Sequence, residues 1–465
     1  EEAAGEEAAG DAARAVGGTA ATVAAAAVIA ATDRVAEAPQ THQTAELPSG
    51  LRVVTERMPS VRSVAIGLWV RTGSRDEIRE QAGISHFLEH LLFKGTERFS
   101  SEEIDQIFDG MGAEVNAGTS KETTSVYARS LDRHSERALE VIADMMLAPA
   151  YREVDSERQV VIEEIAMYED EPSDKVHDVL AEAVFGDHPL GRPIIGSADV
   201  VGSVPIPDIS AYHDSRYVGS NLVLAAAGNL EHESVVEQAE RLLGGDGSRA
   251  ERPNGAVAPE TAGPAVRFHV KETEQYHLAL GAPGLPRGDD RRFVLRVLDT
   301  LLGGSSSSRL FQEVREKRGL AYAVYSFASH FADSGQVGVY VGTRPDNVTE
   351  ALSIIGGELR RLQAEDVPAE ELERAKENVK GRTVLSMEST LSRMNRLGSA
   401  VLMEVPILSL DELLAAIDDV QAEDVAALAR ELYAPDRMSV AGVGAKQDVF
   451  RSALDGVSEQ LAAAP

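Results

Sequence analysis

Apolar residues along this chain fall into blocks with two periods, and the blocks predict mixed helix and strand. Alternation of two marks strands over 51–56 and 63–71, the second (SVAIGLWVR) half buried. A period near 3.6 predicts helices over 83–93 and 101–111. Strands over 113–117 and 123–130 follow, then helices over 134–147 and 155–168. A strand over 220–227 (SNLVLAAA) and a helix over 233–243 close the block. The next stretch, 244–263, is rich in Gly, Pro, Ala and charge, which suits an interdomain linker rather than a packed element.

The remainder repeats the same order. VAIGLWVRTGSRDE (64–77) has a counterpart in HLALGAPGLPRGDD (277–290), and YARSLDRHSERALEVIADMM (127–146) in VYVGTRPDNVTEALSIIGGEL (339–359). VDSERQVVIEEI (154–165) matches AEELERAKENVK (369–380), with Glu157 against Glu373. The expected fold class is therefore α+β, with two homologous halves, each an antiparallel sheet with helices packed on one face. The expected boundaries are a disordered Ala/Glu-rich tail at 1–40, a first domain at 41–247, a linker at 248–263 and a second domain at 264–465.

Composition narrows the function. The 45 Lys and Arg are outnumbered by 76 Asp and Glu, a net charge of −31, which opposes binding to a phosphate backbone. Cationic ligands suit that charge, as does adaptation to salt. Cysteine is absent, so disulfides, thiolate metal sites and cysteine nucleophiles are excluded. The apolar run in the tail is shorter than the ~20 residues of a membrane helix. Its acidic start does not suit a secretory signal, so a cytoplasmic protein without a membrane partner is expected.

One motif carries chemistry. In GISHFLEHLLFKGT (83–96), His86 and His90 stand at i and i+4, so both imidazoles project from one helix face. Glu89 shares that face. Two such imidazoles can hold one zinc ion, and a neighbouring carboxylate that does not ligate can take a proton from the activated water. The H-x-x-E-H spacing is the known inverzincin motif. A catalytic zinc needs a third protein ligand, and the acidic helix 155–168 offers Glu157, Glu163 and Glu164. Residues 157 and 164 share a face, with Glu163 turned about 100° away, so one of the pair would ligate and the other support it. His177, His188, His277 and His330 lack partner spacing and read as structural or solvated. Trp69 reads as core.

HFLEHLLFKGT followed by ERQVVIEEIAMYEDEP resembles the pitrilysin-like (inverzincin) zinc metallopeptidases, among them insulin-degrading enzyme, mitochondrial processing peptidase and short bacterial relatives. GDHPLGRPIIG (186–196) and SSSSRLFQEVREKRGLAYAVYS (305–326) are similar to further blocks of that family. The resemblance implies a zinc-dependent endopeptidase acting on unfolded or presequence-like peptides in a closed chamber. It implies His86, His90 and Glu164 as ligands of one Zn²⁺ per chain, Glu89 as general base and Glu157 as their support. Phe93, Asn116, Ala117, Arg315 and Tyr322 are implied as substrate-binding residues. A homodimer or heterodimer with a related chain is implied too. In the second half His86, Glu89, His90 and Glu164 align with Leu295, Leu298, Asp299 and Lys380, so that half is expected to bind no metal. A non-catalytic partner subunit and a zinc hydrolase of non-peptide substrates are the alternatives.

Overall fold

The computed structural model describes residues 42–245, 257–259 and 263–464, so the tail at 1–40 and most of the linker at 248–263 lie outside the described residues. The first half contains strands β1 (His42–Glu46), β2 (Arg52–Arg57), β3 (Ser63–Val70), β4 (Glu114–Thr119), β5 (Thr124–Leu131) and β6 (Leu222–Gly228). The second contains β7 (Val266–Val270), β8 (Tyr276–Pro283), β9 (Ala321–His330), β10 (Gly335–Thr343) and β11 (Ser439–Gly444). The sheet orders are β1-β2-β6-β3-β5-β4 and β7-β11-β8-β10-β9. With β1 removed, the two orders are the same. The repeat read in the sequence is thus a repeat of topology.

Both sheets are antiparallel except at one place. β2 runs parallel to β6, and β7 runs parallel to β11. The sequence did not reveal these pairs, because side-chain alternation is the same for parallel and antiparallel neighbours.

The helices used below are α1 (Ile84–Leu92), α2 (Ser101–Met111), α3 (Ser135–Leu147), α4 (Val154–Asp170), α5 (Pro172–Phe185), α6 (Ile206–Arg216), α7 (His232–Leu243), α8 (Arg292–Leu302), α9 (Val348–Ala364), α10 (Ala369–Ser386) and α11 (Thr390–Leu402). One face of the first sheet packs Val64, Ile66, Leu68 and Val126 against Phe87 and Leu91 of α1 and Leu139 and Ile142 of α3. In the second half Leu278, Leu280 and Val339 pack likewise against α8 and α9.

The opposite faces are covered by exchange. α11, from the second half, lays Met394, Leu397 and Leu402 on Val54, Ala65, Trp69 and Val223 of the first sheet. α5, from the first half, lays Val176, Leu180 and Val184 on Ala279, Tyr340, Ala441 and Val443 of the second. α5 follows α4 just as α11 follows α10, so equivalent helices are traded. Each fully buried Leu or Met stabilises by roughly 1.5–3 kcal/mol, so either helix alone contributes several. Gly398 makes the close approach possible, since a Cβ there would lie 2.8 Å from the Trp69 ring. Trp69 is core, as its strand pattern suggested, and it is core between the halves.

Candidate metal centre

α1 owes its position to both of its faces. Ile84, Phe87, Leu88, Leu91 and Leu92 are buried at helical spacing, which leaves His86, Glu89 and His90 on the other side. Its N-terminus is fixed by Glu77, whose carboxylate accepts from the backbone N–H of Gly83 and of Ser85, each at 2.8 Å. A carboxylate there satisfies two orphan donors and complements the helix dipole. Burial pushes the Glu77 carboxyl up to about 7, against those two hydrogen bonds. Gly83 (φ +97°) and Gly196 (φ +78°) meet backbone to backbone, where a Cβ on Gly196 would lie 2.3 Å from the Ala82 carbonyl oxygen. That contact explains the glycine closing GRPIIG.

α4 brings the third group. Glu164 Oε1 lies 3.7 Å from His86 Nε2, and its Oε2 lies 3.3 Å from His90 Nε2. His86, His90 and Glu164 each offer one ligand atom within 4.8 Å of the other two, the one such group among the described residues. A tetrahedral ion with bonds of about 2.0–2.1 Å wants donor atoms roughly 3.3–3.4 Å apart. The donor set and its spacing fit zinc. Burial, and then the neighbouring His90, push His86 down to about 4, so its imidazole is neutral as a ligand must be.

The two imidazoles are supported differently. His90 Nδ1 is 2.9 Å from Glu157 Oε1, and Lys94 Nζ is 2.7 Å from Glu157 Oε2. That chain fixes the Glu157 carboxylate between the two groups and directs His90 Nε2 at Glu164. His86 Nδ1 is buried without a hydrogen-bond partner. Glu163 is exposed and lies outside the ligand group.

Glu89 does not join the ligand group. Its Oε2 accepts from the Thr119 hydroxyl. Burial raises its carboxyl above the ordinary range, while the Thr119 donors and His90 oppose that and Glu164 adds to it. Glu89 and His86 line a cavity of about 700 Å³ between the halves. Gly118 and Thr119 of β4, and Phe327 and Ser329 of β9, also line it.

The remaining residues named from the sequence are spread out. Asn116 and Ala117 stand on β4, which among the described residues pairs only with β5, leaving its other edge open there. The Ala117 N–H is taken by Asn116 Oδ1 at 2.8 Å. Phe93 follows α1 and packs against the first core, outside the cavity lining. Arg315 and Tyr322 are brought to each other: the guanidinium lies 4.4 Å from the Tyr322 ring centroid and donates to the Tyr322 carbonyl at 3.1 Å. Neither lines the cavity that holds His86 and Glu89. Tyr322 is five residues before Phe327 on β9, about 16 Å at a strand rise near 3.3 Å.

Sequence reasoning missed Thr119, Lys94, Glu77, Lys121 and the cavity roles of His177 and His330. His177 stacks on Tyr325 and Tyr340, and His330 Nδ1 faces the Leu285 carbonyl oxygen at 3.0 Å. Both rings line the cavity. Lys121 lies in the lining too, hydrogen-bonded to the Arg192 carbonyl, and burial pulls it down to about 8. Their signal was positional, through elements that meet only in the folded chain.

Comparison with known proteins agrees with this geometry. The family model described as Insulinase (Peptidase family M16) matches residues 52–198, and that described as Peptidase M16 inactive domain matches 203–379. An uncharacterized zinc protease of Streptomyces coelicolor is 43% identical, over 89% of this chain and 92% of its own. One from Bacillus subtilis is 43% identical, over 83% of this chain and 95% of its own. A protease from Helicobacter pylori has the same fold, with a TM-score of 0.83 at 23% identity, covering 87% of this chain and 99% of that one.

Proposed function

The chain belongs to peptidase family M16, and from that premise we propose that it is a zinc-dependent endopeptidase whose one metal is held by His86, His90 and Glu164. The observation that carries the reading is the convergence of these three donors from α1 and α4 beside a fourth group, Glu89, which is held apart from them. Zinc bound there would polarise a peptide carbonyl and lower the pKa of a water. Glu89 takes the proton from the attacking water and passes it to the leaving amine; its raised pKa suits that exchange. Glu157 and Lys94 hold His90 in the tautomer that presents Nε2.

Substrate adds as a strand along the open edge of β4, displacing the Asn116 side chain from the Ala117 N–H. Such pairing reads backbone rather than sequence, so the substrate is an unfolded or presequence-like peptide. Glu163, Asp170, Glu171 and Asp174 surround a hollow that shares Glu164 and Tyr168 with the cavity rim. With the net charge of −31, they favour cationic peptides. Phe93, Arg315 and Tyr322 remain substrate contacts on the family resemblance alone. No helix among the described residues is long and apolar enough to cross a membrane. We assign the protein to the cytoplasm, and we assign it a related or identical partner chain that closes the chamber.

The test is an internally quenched unstructured peptide with zinc-loaded protein. Cleavage by wild type and its loss in Glu89→Gln support the proposal. A wild type that binds zinc but cleaves no peptide would favour a zinc hydrolase of another substrate, and one that neither binds zinc nor cleaves would favour the non-catalytic subunit.

A further inference from the structure

Glu89 poses a problem of restraint. It shares a helix face with His86 and His90, and Glu164 and His90 both act on its charge. Carboxylates ligate zinc readily, at about 2.0–2.2 Å. A mobile Glu89 would become a fourth protein ligand, removing the base and closing the position a catalytic metal keeps open. The group that contacts this carboxylate comes from the neighbouring strand β4. Thr119, the last residue of β4, donates its hydroxyl to Glu89 Oε2, and its backbone N–H also faces that carboxylate. β4 is the edge strand of its sheet and is tied to β5 along its whole length, with Thr119 opposite Thr124. Thr119 is therefore a fixed anchor rather than a flexible partner. Because one oxygen of Glu89 is occupied by Thr119, the other is left to the cavity, which Glu89 and Thr119 both line.

We propose that Thr119 is a positioning residue: its hydroxyl holds Glu89 out of metal coordination and aims the free carboxylate oxygen at the attacking water. The inference rests on the zinc-peptidase reading. Because Thr119 ends the strand on which the peptide would add, one side chain sets the base in register with the bound backbone. The methyl group has no part in this, so serine should substitute and valine should not.

The experiment uses full-length protein loaded with zinc for kinetics and with cobalt(II) for its visible spectrum. Thr119→Val should lower kcat by about 10–100-fold, the usual loss when a supporting hydrogen bond is removed beside a metal site, with KM little changed. Thr119→Ser should recover most of that loss. In the cobalt form, Thr119→Val should show weaker absorption, as an added oxygen ligand gives, and Glu89→Ala in the same background should restore the wild-type spectrum. An unchanged cobalt spectrum in Thr119→Val overturns the proposal, as does a loss confined to KM or one that serine leaves uncorrected. The spectrum needs no turnover. If wild type cleaves no peptide, the function proposal fails, and the restraint on Glu89 is still decided.

Discussion

Helices α1 and α8 hold the same place in their halves. α1 follows β3 and packs beside β4 and α4, while α8 follows β8 and packs beside β9 and α10. Their chemistry is opposite. α1 presents His86, Glu89 and His90 to a cavity, whereas at the matching positions α8 buries Leu295 and Leu298 in its core. Asp299, the third match, has a buried Oδ1 without a partner. Where α4 supplies Glu164, α10 supplies Lys380, whose Nζ is 2.7 Å from Asp418 Oδ1 and 2.5 Å from Glu377 Oε1. One topology thus supports a donor cluster in one half and a hydrophobic seam with surface ion pairs in the other. The site is a matter of four side chains, and the fold serves both versions.

The sharpest break in that comparison is at Glu89. Glu89→Gln should retain zinc and lose activity by about 10²–10⁴-fold, the range for a general base, measured by peptide cleavage alongside metal analysis. Next in size is the ligand assignment. Glu164→Gln should strip most of the zinc, while Glu163→Gln, on the exposed side of α4, should leave it in place. Equal zinc loss in both would remove Glu164 from the set. Glu157→Gln acts one step further out, through His90, and should cost roughly 10–100-fold in zinc affinity, read by competition with a chelating dye.

The exchanged helices can be tested separately from the chemistry. Gly398→Val would push into Trp69, and an overpacked core contact costs about 1–3 kcal/mol, visible as a lower melting temperature. Zinc stoichiometry should not change. For the same reason a chain cut at about Gly244 is not a fair test of the first half. Without α11 it would expose Val54, Ala65, Trp69 and Val223, and α5 would lose the sheet it covers. A separate effect is expected in the pH dependence at Glu77. Its carboxyl is raised in the fold to about 7, so the stability it permits is full below the unfolded value near 4.5. That stability is lost as pH rises toward 7. Wild type should therefore lose stability relative to Glu77→Gln across that window and hold level above it, as chemical denaturation at several pH values would show.

Much of this was legible beforehand, and the reasons are local. α1 announced itself because Phe87, Leu88, Leu91 and Leu92 keep one period while His86 and His90 keep another face. The separation of Glu163 from Glu164 followed from helical geometry alone. Thr119 was not legible, because nothing in TSKET says that a strand end will lie beside a helix thirty residues earlier in the chain. Nor was the exchange of α5 and α11. An amphipathic pattern states that a face is buried but not by which partner, and here the partner is the other half. Arg315 and Tyr322 rested on resemblance, and in the structure they stack on each other outside the cavity that holds Glu89.

On the zinc-peptidase proposal, one half binds a single zinc and four side chains make the difference. The direct measurement is zinc bound per chain in wild type and in a variant that gives the first half the second half's residues: His86→Leu, Glu89→Leu, His90→Asp and Glu164→Lys together. The variant should keep its fold by circular dichroism and bind no zinc, against about one per chain in wild type. Two zincs in wild type, or one retained in the folded variant, would contradict the claim.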